Sequence, residues 1–139
     1  MKELSIGTGV VTYSLNGTCE VSFNPTDSVF IEKLFNAFDT LDKRQESYKD
    51  EVSKNADKRE LFVIARKMDG EMREIINDVF DVDVCSALFG DMNVYALSDG
   101  LPVWANLMLT IMDEIDTTFA REQKATNPRI SKYTKKYQR

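Results

Sequence analysis

Apolar residues alternate in short runs over the first 24 positions and recur every three or four positions from Phe30 onward. The first pattern belongs to strands and the second to amphipathic helices. Residues 10–15 (Val-Val-Thr-Tyr-Ser-Leu) and 18–23 (Thr-Cys-Glu-Val-Ser-Phe) flank Asn16-Gly17. Asn-Gly supplies the two positive-φ residues of a type I′ turn, so the segment predicts a β-hairpin with a two-residue loop. In that register Val10 opposes Phe23, Thr12 opposes Val21 and Ser14 opposes Cys19; Val11, Tyr13 and Leu15 oppose Ser22, Glu20 and Thr18. Both faces are then partly apolar, and the hairpin needs helices or another strand to pack on. Leu4-Ser5-Ile6 is a candidate third strand, with Gly7 and Gly9 allowing a bend after it.

Asn24-Pro25-Thr26-Asp27 reads as a helix start, with Asn24 as cap, Pro25 in the first helical position and Asp27 favoured by the helix dipole. Ile31, Leu34, Phe38, Leu41, Gln45, Tyr48 and Val52 then step 3-4-3-4-3-4, a heptad seam. Phe30 and Phe35 widen the early part, which places it on the core; the later part is a thin seam suited to a paired helix. A second helix spans residues 57–80, with Leu61, Ala65, Met68, Met72, Ile75 and Val79 in one stripe and Phe62, Ile64, Ile76 and Phe80 alongside. Gly70 within it costs about 1 kcal/mol relative to Ala and reads as a bend or a close helix approach. The joint near Lys54-Asn55-Ala56 predicts an antiparallel helical hairpin, the alternative being one unbroken helix.

Asp83 caps a short helix over residues 84–89, which Gly90 ends. Residues 91–100 read as a loop carrying Val94-Tyr95-Ala96-Leu97. A last helix begins after Ser98-Asp99, has Pro102 in its first turn and runs to about residue 124. Its stripe is Trp104, Leu107, Met108, Ile111, Ile115 and Phe119, with Asp113, Glu114 and Asp116 opposite. Past the breaker Asn127-Pro128 only Ile130, Tyr133 and Tyr137 are large and apolar, the pattern of a mobile tail. The fold expected is mainly α (α+β): one α-rich domain over residues 1–124 with an N-terminal β-hairpin (1–24), a long helical hairpin and a C-terminal amphipathic helix, then a flexible basic tail over 125–139.

Composition narrows this picture. The chain has 139 residues, enough to bury roughly two-thirds of its unfolded surface, and 42% hydrophobic content excludes a disordered chain. No run of about 18 apolar residues occurs, and the first residues lack a signal peptide's apolar stretch, so a soluble cytoplasmic protein without a membrane partner is expected. Cys19 and Cys85 stand far apart and read as small buried hydrophobes in a reducing compartment rather than a zinc site or a disulfide. There is no His, which removes the commonest acid–base and metal-binding side chain.

The net charge of −5 is unevenly spread. Residues 121–139 hold seven basic side chains (Arg121, Lys124, Arg129, Lys132, Lys135, Lys136, Arg139) against Glu122, or +6, and the other 11 basic and 22 acidic residues leave the body at −11. Arg129, Lys132, Lys135 and Lys136 interleave with Tyr133 and Tyr137. Cations for phosphates and rings for bases suit nucleic acid; the same segment suits an acidic protein surface, or serves only solubility.

Candidate chemistry is sparse. Asp81 and Asp83 sit at a helix boundary, where Asp caps, and Asp113, Glu114 and Asp116 sit on a solvent face, so both groups read as structural rather than acid–base pairs. Asp91-Met92-Asn93 does not continue as a calcium loop, Gly7-Thr8-Gly9 lacks the ending of a phosphate loop, and no Ser lies in a GxSxG elbow. No catalytic residue, metal ligand or cofactor site is assigned, and a non-enzymatic protein is expected. Met68, Met72, Met92, Met108 and Met112 fit a core or a plastic binding surface, and Trp104 fits a core anchor or a partner contact. The candidate partner-binding residues are Tyr48, Val52, Trp104, Arg129, Lys132, Tyr133, Lys135, Lys136 and Tyr137.

The order of parts, the stretch from Cys85 through Leu88-Phe89-Gly90 to Tyr95, the helix holding Trp104 to Ile115, and the ending Asn127-Pro128-Arg129 with Ser131-Lys132-Tyr133 resemble tail assembly chaperones of phages and prophages from Gram-positive bacteria. The likeness of layout covers nearly the whole chain, while its motif is short. The resemblance implies a chaperone in the host cytoplasm that binds the long helical tape-measure protein, recruits tail-tube subunits and forms homo-oligomers. It transfers no catalytic residue. A second class of function is a small phage or mobile-element regulator whose basic tail binds nucleic acid; a third, an acidic mimic of nucleic acid, fits −11 poorly.

Overall fold

Two strands open the fold: β1 (Val11–Leu15) and β2 (Cys19–Phe23) pair antiparallel, with Val11 opposite Phe23, Tyr13 opposite Val21 and Leu15 opposite Cys19. The structure is a computed structural model describing residues 1–54 and 57–137. Asn16 and Gly17 take the positive φ values the turn requires, 52° and 68°, and the Thr18 amide donates to the Leu15 carbonyl at 3.0 Å. Thr18 nevertheless stays in the loop, which therefore has three residues, and the register lies one residue away from the sequence expectation. That shift sorts the side chains: Tyr13, Leu15, Cys19, Val21 and Phe23 turn inward, while Thr12, Ser14, Glu20 and Ser22 are exposed. The Thr12 and Ser22 hydroxyls meet across the outer face at 2.7 Å. Burial of one apolar face has decided the register, as it does wherever only one face is covered.

Residues 4–6 form no strand, and Leu4 and Ile6 are exposed. The segment is tied down at Thr8, whose carbonyl accepts from Asn24 Nδ2 at 2.8 Å. Gly9, at φ 73°, leaves space that a Cβ would take at 2.5 Å from the same Asn24 nitrogen. Asn24 is thereby a turn residue and not the expected helix cap: its Oδ1 accepts from the Thr26 amide and hydroxyl, both at 2.8 Å. The cap of α1 (Ser28–Lys54) is Asp27, whose Oδ1 accepts from the Val29 amide at 3.0 Å.

Leu34, Ala37 and Leu41 of α1 are buried, Phe38, Gln45 and Tyr48 are half-buried, and Val52 is exposed, so the seam thins toward its end as its pattern implies. Phe35 points to solvent and does not widen the core stripe. α2 (Lys58–Phe80), capped by Asp57, packs along α1; the expected joint at Asn55-Ala56 lies outside the described residues. Met72, Ile76, Val79 and Phe80 carry the buried stripe, whereas Phe62 is exposed. Nothing lies within 4 Å of a Cβ built on Gly70, which rules out a close helix approach there. An aromatic series joins hairpin and helices: Tyr13 on Phe23 at 4.9 Å, Phe23 on Phe30 at 4.2 Å, and Phe30 near Phe80 at 6.2 Å.

α3 (Val84–Phe89) runs from its Asp83 cap to Gly90 as the sequence implies. The following loop contains a second, two-residue ladder, β3 (Leu97–Ser98) with β4 (Leu101–Pro102), turned by Asp99 and Gly100 at φ 56° and 79°. Pro102 stands in the N-cap position just before α4 (Val103–Lys124), outside the first turn expected for it and with no side-chain bond to the helix. Trp104, Ala105, Leu107, Met108, Ile111 and Ile115 are buried in α4, and Thr118 takes the inward position expected of Phe119. Thr118 lies toward Tyr13 of the hairpin and bonds Glu114 Oε1 at 3.1 Å, which leaves Phe119 at the edge. A helix, α5 (Arg129–Tyr137), occupies most of the segment read as an unstructured tail. The molecule is mainly α with a small antiparallel hairpin at its start. Among the described residues no helix is long and apolar enough to cross a membrane.

Candidate functional site

Three polar side chains of α2, spaced four apart, position the loop that follows α3. Arg73 donates from Nη2 to the carbonyls of Gly90 at 2.8 Å and Met92 at 2.6 Å, and from Nε to Asp69 Oδ2 at 3.0 Å. Asp69 Oδ1 accepts from the Val94 amide at 2.8 Å. Asn77 accepts from the Cys85 amide at 3.1 Å and donates to Asp83 at 2.9 Å, which fixes the start of α3. From the loop, Asn93 Nδ2 reaches back to the Ala65 carbonyl at 3.0 Å while its Oδ1 accepts from the Tyr95 amide at 2.9 Å. The stretch that carries the family resemblance is thus a strap bound to α2 through backbone atoms. Sequence reading assigned Asp69, Arg73, Asn77 and Asn93 no role. Their signal was a polar stripe beside the apolar one on a helix that otherwise exposes its charges.

The strap presents Tyr95 to α1. Its ring stacks on Tyr48 with 3.9 Å between centroids and 6° between planes. The Tyr95 hydroxyl is enclosed and has no hydrogen-bond partner among the described residues. Burial pushes its pKa up to about 12, against the lowering effect of the Arg44 guanidinium, itself ion-paired with Glu71 of α2. Beside this stack runs an open groove of about 370 Å³ lined by Tyr48, Phe62, Ala65, Arg66, Asn93 and Tyr95. Phe62 is 61% exposed and the adjacent Val63 57%, while Val52 is exposed one turn beyond Tyr48. Here the candidate residue Tyr48 shares a groove with the exposed Phe62.

Trp104 does not join them. It is 2% exposed, its indole nitrogen donates to Gln45 Oε1 at 2.8 Å, and its ring lies 5.8 Å from that of Phe38. The structure takes the core role for Trp104 and removes it from the accessible surface. Gln45, the polar member of the heptad seam, is there to satisfy the indole. Met72 and Met108 are fully buried and Met68 and Met112 pack against the same core, so of the methionines considered only Met92 is exposed.

The remaining candidates share α5. Asn127 Oδ1 accepts from the Arg129 amide at 3.1 Å to start the helix. Helical spacing puts Ile130, Tyr133 and Tyr137 in one stripe and Arg129, Lys132 and Lys136 in a second beside it, with Lys135 further round. The Lys132 and Lys136 ammonium groups lie 5.5 and 5.6 Å from the rings of Tyr133 and Tyr137. None of the helix is buried; Ile130 is 80% exposed and Tyr137 73%. An amphipathic helix therefore extends from the body with its apolar stripe uncovered.

Among the described residues no three His, Cys, Asp or Glu side chains come together as a metal site. No family model, curated relative or solved structure matches the chain.

Proposed function

We propose that the protein is a tail assembly chaperone of a phage or prophage, a non-enzymatic cytoplasmic protein that binds the helical tape-measure protein and recruits tail-tube subunits. The observation that carries this reading is the groove beside the Tyr48–Tyr95 stack, with Phe62 exposed in its wall. A groove between two helices with aromatic walls suits the apolar side chains of an amphipathic partner helix, which arrive every three or four residues. Exposed aromatic side chains next to a pocket are the type that dominate binding energy once water is excluded. The acidic body keeps a complex with an apolar helical protein in solution, and α5 offers a separate surface for a second partner.

The test is coexpression with a helical fragment of a tape-measure protein from the same phage type, followed by purification on the chaperone. Retention of the fragment by the unaltered chain and its loss in Phe62→Glu, with the helical circular dichroism unchanged, is the expected result. Absence of retention by the unaltered chain overturns the reading, and so does equal retention by Phe62→Glu.

The helical form of α5 also favours a second reading, a regulator that binds nucleic acid, because it gathers Arg129, Lys132 and Lys136 on one side. Salt-dependent binding to DNA or RNA that disappears when residues 125–139 are deleted would establish it.

A further inference from the structure

We propose that α5 is a self-association element that docks on the outer face of α4 in a second copy of the chain, setting Lys132 and Lys136 against Asp113 and Asp116. The charge distribution selects this occupant. α5 carries four cations (Arg129, Lys132, Lys135 and Lys136) and no acid, and it is joined to a body that is −11 over residues 1–120; yet in the single chain every described residue of α5 is exposed, so the helix does not lie on its own body.

The receiving face joins carboxylates to apolar side chains. Leu109, Met112, Asp113, Asp116 and Phe119 fall on one side of α4 by helical spacing. Leu109 and Met112 are half-buried, and Asp113, Asp116 and Phe119 are exposed. Asp113 and Asp116 have no ion-pair partner among the described residues. On α1, by contrast, Asp39 and Glu46 are already held by Lys43 at 2.9 Å and Lys49 at 3.6 Å. The α4 face thus offers Phe119 and the outer edges of Leu109 and Met112, whose other sides pack on the core, edged by carboxylates that hold no ion pair, and α5 offers an apolar strip edged by cations.

Connectivity makes the contact reciprocal. Only residues 125–128 separate α4 from α5, so each α5 leaves from the end of the helix that carries the receiving face. Two α4 helices placed antiparallel about a two-fold axis exchange their α5 segments, and one interface then contains the same contact twice. The proposal needs no tape-measure protein, so it stands or falls separately from the chaperone reading.

Sedimentation of the full chain tests it. The expected result is a dimer at tens of micromolar protein in low salt that dissociates as salt rises. Lys132→Glu/Lys136→Glu and Asp113→Lys/Asp116→Lys should each weaken the homodimer about tenfold or more. Mixed in equal amounts, the two variants should associate with each other, because both exchanged contacts then become attractive. All four positions are exposed, and the salt titration of the unaltered chain needs no variant at all. The proposal is overturned by a chain that stays monomeric at every concentration, by a dimer indifferent to salt and to both reversals, or by variants that fail to associate when mixed. Nucleic-acid binding that Lys132→Glu/Lys136→Glu abolishes in a monomeric chain overturns it too.

Discussion

Tyr48 and Tyr95 stack face to face across the boundary between α1 and the strap that α2 holds, their rings 3.9 Å apart. The contact turns a loop into part of the groove wall, at the cost of one enclosed hydroxyl without a partner among the described residues. A buried polar group left unsatisfied costs about 1–3 kcal/mol. Tyr95→Phe keeps the ring and removes the hydroxyl, so its expected effect is neutral to stabilising by about 1 kcal/mol in urea unfolding. Tyr95→Ala, which also removes the ring, should cost about 3–5 kcal/mol. A marked loss of stability in Tyr95→Phe would mean that the hydroxyl has a partner after all.

Alkaline pH should weaken the fold. Burial raises the Cys85 thiol from 9.0 to about 12 and the Tyr95 phenol from 10.0 to about 12. Above pH 9 the unfolded chain releases these protons first while the folded chain holds them. Stability contributed by both groups is therefore fully present below pH 9 and falls from there to pH 12. Urea midpoints measured from pH 7 to 11 should be flat on this account up to pH 9 and then decline. Cys85→Ala should delay the onset toward pH 10, and an unchanged onset would remove Cys85 from the explanation.

Gly70 stands inside α2 with open space where a Cβ would go. Gly70→Ala should stabilise the protein by about 0.5–1 kcal/mol, mainly by narrowing the unfolded ensemble. A higher urea midpoint with an unchanged slope is the result to look for. Destabilisation would point to a bend at Gly70 that Ala cannot follow.

Arg73 serves two carbonyls and one carboxylate at once. Arg73→Ala should cost about 2–3 kcal/mol, because it leaves the largely buried Asp69 without its charge partner. Arg73→Lys should restore only part of that loss, since a single ammonium cannot reproduce the planar fork. Full recovery by Lys would show that charge matters at this position and geometry does not.

How far the fold could be read from the chain depended on whether a signal was local. The helices announced themselves because Leu34, Leu41, Met72, Ile76, Met108 and Ile111 repeat at helical spacing, and each is buried. Asp57, Asp83 and Gly90 act at helix ends where their backbone preferences place them. Errors came where distant contacts decided. Asn24 is a good cap by type, yet bonds to Thr8 and Thr26 leave that role to Asp27. Trp104 could be surface or core until Gln45, 59 positions earlier in the chain, received its indole nitrogen. Of the candidate surface, Tyr48 and Val52 were legible from a seam that outruns the core. Phe62 was not, because an aromatic beside an apolar stripe gives no sign of which way it turns. The tail's helix was hidden by its small apolar content, although Ile130, Tyr133 and Tyr137 step 3-4 as a helix requires.

The extra loop residue in the hairpin has a consequence for how this protein tolerates change. Asn16, Gly17 and Thr18 are exposed and touch little, so the loop will accept many substitutions compatible with its backbone. Its length is negotiable too: Leu15 and Cys19 flank it as partners, so deleting one of the three leaves a two-residue connection between the same pair and keeps the inward row. Within β1 or β2 the same deletion would turn every later side chain to the opposite face. Sequence drift should therefore place its insertions and deletions in this loop and spare the strands beside it.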